Sequence, residues 1–121
     1  MNNRETGSRY ETLVAERLQE NGYHILEQNY RCKVGEIDLI ARDGGYLVFI
    51  EVKYRGTGRK GFAADAVTVK KQRKICRVAD YYMKQQGLFG DMSVRFDVAA
   101  VDGGDIHLLK DAFSYTGTVR F

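Results

Sequence analysis

Four charged side chains fall at two-residue spacing in a pair of short apolar segments: Glu36 and Asp38 in GEIDLIA, and Glu51 and Lys53 in FIEVK. A DGG turn (Asp43 to Gly45) separates the two. A two-residue Gly44-Gly45 hairpin loop sets Asp38 opposite Glu51 and Glu36 opposite Lys53. Directly opposed side chains stand about 4.5–5.5 Å apart at Cβ, where like charges destabilise the pair. A divalent cation relieves that repulsion, and hard carboxylate oxygens suit Mg²⁺ or Mn²⁺. Lys53 adds a positive charge two residues along the same face. The chemistry such a group can do is therefore cation binding beside a fixed ammonium. The competing interpretation is a solvated polar edge joined by ion pairs, which are common and contribute little. A one-residue slip in register would also separate the carboxylates.

Two more polar residues point toward this group. At about 100° per residue, Glu11 falls between Leu18 and Ala15 on the core-facing stripe of a first helix, where a carboxylate needs a partner. Gln72 falls between Ile75 and Cys76 on the apolar face of a second helix and is placed to reach the same cavity. Each has an ordinary alternative: a Glu that reaches water at the helix edge, and an amide satisfied locally.

The elements that must hold these residues are legible from periodicity. Gly7 to Asn21 reads as a helix with Tyr10, Val14, Ala15 and Leu18 on one side, Leu13 at the edge and Gly22 closing it. Tyr23 to Cys32 reads as a strand. GEIDLIA, DGG and YLVFIEVK read as a hairpin, with Ile40 and Phe49 on the charged face. Its other face, Ile37, Leu39 and Ala41 against Val48, Ile50 and Val52, is wholly apolar. YRGTGRKGFAA is a basic, glycine-bearing loop. A second helix runs from Thr68, as N-cap, to Gln86 with Gly87 after it, and places Val69, Ile75, Cys76, Ala79, Tyr82 and Met83 on one face. SVRFDVAAV and IHLL read as strands around a VDGGD turn. The order is α-β-β-β-α-β-β, and the strand–helix–strand passage implies a crossover and a mixed β-sheet flanked by helices, an α/β fold.

Length and composition bound the answer. At 121 residues the chain, 1–121, suits one domain. Its 44% hydrophobic and 29% charged residues argue for a soluble globule and against disorder. A net charge of +3 fits an anionic partner without requiring one. The absence of Pro excludes Pro-rich recognition segments. The N-terminal stretch MNNRETGSRYE has no apolar core, so no secretory signal is expected. No apolar run suffices to span a bilayer. Cys32 and Cys76 lack metal-ligand spacing and read as reduced residues of a cytoplasmic protein.

An aspartate on one strand, Glu-x-Lys on the next and a helix-borne glutamate before them resemble the restriction-endonuclease-like superfamily. More closely, GSRYETLVAERLQENGYHILEQNYR, GEIDLIA, VFIEVKYR, AVTVKKQRKICRVADYYM and RFDVAAV resemble the YraN family, small bacterial proteins similar to archaeal Holliday-junction resolvases. The resemblance covers Gly7 to about Phe113. It implies a metal-dependent DNA endonuclease that hydrolyses phosphodiester bonds in branched DNA, acting as a homodimer without a membrane. It implies that Asp38, Glu51 and the Val52 carbonyl bind Mg or Mn, that Lys53 positions the attacking water, and that Glu11 joins the acidic cluster. Glu36 is a candidate support for a second ion. Tyr10 departs from the pattern, standing where a glycine is expected.

A nuclease must also hold a polyanion. Arg55, Arg59 and Lys60 follow Lys53 closely and are the expected nucleic-acid contacts, reaching flanking phosphates. Lys70, Arg73, Lys74, Arg77 and Lys84 gather on the outer side of the second helix, where a merely solvated face is the common case. The alternative function, from another class, is a nucleic-acid-binding or scaffold protein that keeps the nuclease fold without turnover.

Overall fold

A computed structural model describes residues 3–55, 67–88 and 92–116, with side chains treated from residue 9 and not for Arg55. The elements are α1 (Asn3–Glu20), β1 (His24–Cys32), β2 (Gly35–Asp43), β3 (Tyr46–Arg55), α2 (Val69–Gln86), β4 (Ser93–Asp102) and β5 (Asp105–Leu109). They form one five-stranded sheet in the order β1-β2-β3-β4-β5. Neighbours run antiparallel except β3 and β4, which are parallel. A parallel pair needs a long crossover, and α2 lies within it. The mixed sheet and the α-β-β-β-α-β-β order are those expected of the sequence.

The sheet has two covered faces. Against α1 (Val14, Ala15, Leu18) pack Leu39, Ala41, Val48, Ile50, Ala99 and Val101. Against α2 (Ile75, Cys76, Val78, Ala79, Tyr82, Met83) pack Ile37, Ile40, Leu47, Phe49, Phe96 and Val98. Burial on both faces explains the unbroken buried run Phe96–Val101 in β4. Each fully buried aliphatic side chain contributes about 1.5–3 kcal/mol. Val69, expected on the apolar face of α2, is 58% exposed; it is the first helical residue and lies beyond the sheet contact.

The helix ends follow their capping residues. The Thr68 hydroxyl accepts from Lys71 N at 3.2 Å, and Gly87 ends α2 at φ 68°. After α1, Gly22 at φ 92° lets Tyr23 N donate back to Leu18 O. Among the described residues no helix is long and apolar enough to cross a membrane.

One buried charge network sits among the apolar strands. Asp97 is fully buried and its oxygens accept from Arg95 Nε and Nη2, from Tyr23 Oη at 3.1 Å and from Asp111 N at 2.9 Å. Arg95 also meets Asp43 at 2.9 Å. Four segments (the α1–β1 turn, the β2 end, β4 and the chain after β5) are thereby joined at one point. The hydrogen bonds to Asp97 raise the Arg95 pKa.

Candidate active site

The site forms where the β2–β3 ladder ends. The Gly44-Gly45 register holds from Asp43↔Tyr46 to Leu39↔Ile50 and stops there. Asp38 and Glu51 are not a paired position of that ladder, nor are Glu36 and Lys53. Instead the Asp38 carboxylate accepts a hydrogen bond from Val52 N at 2.7 Å, replacing the backbone ladder with a side-chain link. Strand alternation breaks at the same place. Leu39 packs toward α1, yet Ile37, which shares its parity, packs toward α2. The expectation that Ile37 joins the Leu39 face is therefore corrected. Across from the break, Asn29 of β1 takes φ 54° between the register pairs Gln28↔Leu39 and Tyr30↔Ile37, a conformation that turns the backbone locally out of the regular pleat. Asn is among the few residues that adopt this left-handed geometry readily.

Three carboxylates converge on that discontinuity. Glu51 is 8% exposed; burial first, and then the Asp38 charge, push its pKa up to about 8, against the counteracting Lys71 and Lys53 ammoniums. Lys71 Nζ, from α2, lies 3.9 Å from Glu51 Oε2. Glu11 reaches Asp38 from the α1 side. Burial and then the Asp38 charge raise its pKa to about 7, while the Asn29 amide favours its ionised form. Glu11 Oε1 is buried with no hydrogen-bond partner. Asp38 thus stands between Glu11 on one side of the sheet and Glu51 on the other. Lys53 is half-buried beside them. Among the described residues no three His, Cys, Asp or Glu side chains form a ready-made metal cage.

Comparison with known proteins places the chain in a family. The model of "Uncharacterised protein family UPF0102" matches residues 10–101. The chain belongs to the UPF0102 (YraN) family. It is 47% identical to a UPF0102 protein of Lachnoclostridium phytofermentans over 118 residues, covering 98% of this chain and 100% of the relative. It is 43% identical to one of Caldicellulosiruptor saccharolyticus, covering 93% and 100%, and 46% identical to one of Syntrophus aciditrophicus, covering 92% and 90%.

The UPF0102 segment spans every residue of the carboxylate group, and the other expected residues fall in various places. Glu36 is exposed and paired with Arg31 at 3.3 Å, and its charge is the smallest of the named influences that raise the Glu11 carboxyl. Gln72 donates to Val67 O at 3.0 Å, closing the entry to α2. Arg55 ends β3, and Arg59 and Lys60 lie outside the described residues. Two residues that sequence reasoning missed enter the site, Asn29 and Lys71. Lys71 sits one turn after the Thr68 cap, in a run of basic residues that gave no signal to single it out. A cleft of about 350 Å³ adjoins it, lined by Arg31, Cys32, Gly35, Glu36, Lys71 and Lys74.

Proposed function

We propose that this UPF0102 protein is a metal-dependent DNA endonuclease that hydrolyses phosphodiester bonds. The observation that supports it most is Glu51: a nearly buried carboxylate held against Asp38, with Lys53 and Lys71 beside it. Lys71 offsets Glu51 only at 3.9 Å, the Asp38 charge still raises the Glu51 and Glu11 carboxyls, and the buried Glu11 Oε1 has no partner. That donor set fits Mg²⁺ or Mn²⁺. Mg²⁺ keeps several waters and takes one or two carboxylates plus substrate phosphate, so a three-carboxylate cage is not required. Asp38, through the oxygen not engaged by Val52, with Glu51 and the Val52 carbonyl would hold it. Such an ion supplies Lewis-acid polarisation of a phosphate oxygen and a more acidic bound water.

The chain's own groups do the rest. Lys53, a compact point charge, holds the attacking water and offsets the charge that develops on the phosphate. Glu11, its carboxyl raised to about 7, can exchange a proton near neutral pH. Arg31, Lys71 and Lys74 along the adjoining cleft, with Arg55, Arg59 and Lys60, receive the flanking phosphates. Symmetric incision of branched DNA needs two such sites, so the proposal includes a homodimer.

The test is cleavage of labelled four-way-junction and linear duplex DNA with Mg²⁺, Mn²⁺ or chelator. The parent cuts only with divalent ion, and Glu51→Gln lowers the rate at least a hundredfold while binding persists. Binding without ion-dependent cutting in the parent would establish instead a DNA-binding protein that retains the fold.

A further inference from the structure

Tyr10 and Tyr54 stack with ring centroids 4.2 Å apart and planes 14° from parallel. Tyr10 precedes Glu11 on α1, and Tyr54 follows Lys53 on β3. Alternation along β3 puts Tyr54 with Ile50 and Val52 on the α1 side, the side from which Glu11 approaches Asp38. The pair therefore stands beside the carboxylate group. Tyr10 is anchored against the α1-side core, whereas its stacking partner Tyr54 is 47% exposed.

We propose that the Tyr10–Tyr54 stack is a platform for an unpaired nucleobase next to the phosphate being cut, an inference that rests on the nuclease reading above. A flat ring already fixed by its neighbour loses little freedom when a third ring stacks on it. Stacking on an aromatic side chain accepts any base, because every base has a π-face. A base inside a duplex is already stacked on both faces and gains nothing from the move. The platform thus selects DNA with an unpaired nucleotide at the scissile position, such as a flap, gap or open branch point.

The test compares two ligands of equal charge: a hairpin duplex with a short unpaired thymidine tail, and the same duplex with an abasic tail. Binding is measured by fluorescence anisotropy in chelator, on parent, Tyr54→Leu and Tyr54→Phe. The parent binds the base-bearing tail about tenfold more tightly, Tyr54→Phe keeps that ratio, and Tyr54→Leu reduces it to near one with unchanged affinity for the abasic tail. Equal binding of both tails by the parent, or an unchanged ratio in Tyr54→Leu, overturns the platform and leaves the nuclease reading standing. Binding of neither ligand overturns the nuclease reading and the platform with it.

Discussion

At the scale of single residues, the raised carboxyls make stability depend on pH. Glu51 moves from an ordinary 4.5 to about 8 and Glu11 from 4.5 to about 7. Between the ordinary and the raised value the folded chain binds more protons than the unfolded one, so stability falls as pH rises through that window. Below pH 4.5 this penalty is absent. In chelator, the parent should lose melting temperature between pH 5 and pH 9. Glu51→Gln, which cannot ionise, should recover on the order of 2 kcal/mol of that loss at pH 9. A parent whose melting temperature holds level across the range would refute the assignment. Asp38 has a second duty through Val52 N. Asp38→Asn keeps an acceptor and removes the charge that both glutamates feel, so the Glu51 titration followed by carbon NMR should shift downward. Asp38→Ala leaves the Val52 amide without its partner and should destabilise the protein by about 1–3 kcal/mol. Equal stability of the two variants would show that the hydrogen bond is dispensable.

At the scale of elements, the position of α2 decides whether Lys71 reaches Glu51. Two features fix it. Thr68 and Gly87 cap its ends, and Thr68→Ala should cost about 1 kcal/mol in a thermal melt. Gly35, at φ 149°, lies beneath it: a Cβ there would come within 3.0 Å of Val78 Cγ2 and 3.4 Å of Lys74 Cε. Gly35→Ala should therefore both destabilise the fold, by about 1–3 kcal/mol for the enforced repacking, and weaken the influence of Lys71, raising the Glu51 pKa further. An unchanged Glu51 titration in that variant would mean that α2 does not shift. These elements were legible because each announces itself locally: Thr68 and Gly87 bracket a helical period, and Gly44-Gly45 sets a hairpin register that holds for five pairs. What periodicity missed was the break at Asp38. Register arithmetic extends a regular pleat, and no residue type marks where a strand reverses its faces; Asn29, left-handed within β1, looks in sequence like any polar residue of an edge strand. Glu11 was legible as a carboxylate on an apolar stripe, whereas Lys71 was lost among the neighbouring basic residues.

At the scale of the molecule, Arg95 and Asp97 tie the end of the sheet remote from the ladder break. Neither was legible in SVRFDVAAV, because their partners Tyr23, Asp43 and Asp111 are brought in only by the fold. Arg95→Met leaves a fully buried carboxylate uncompensated, and should destabilise the protein by about 3–5 kcal/mol in urea unfolding. A loss under 1 kcal/mol would show that the network relaxes around the gap.

The twist at Asn29 reaches beyond the site. β1 is an outer strand of an open sheet, and a long, straight outer strand offers a row of unmatched amides and carbonyls on which another chain can grow. Here that row is interrupted twice within nine residues, by the register shift between Ile25 and Glu27 and by Asn29 at φ 54°. No uninterrupted run is left for a stray strand to template on. The same local geometry that lets Glu11 approach Asp38 thus also guards the protein against edge-to-edge aggregation.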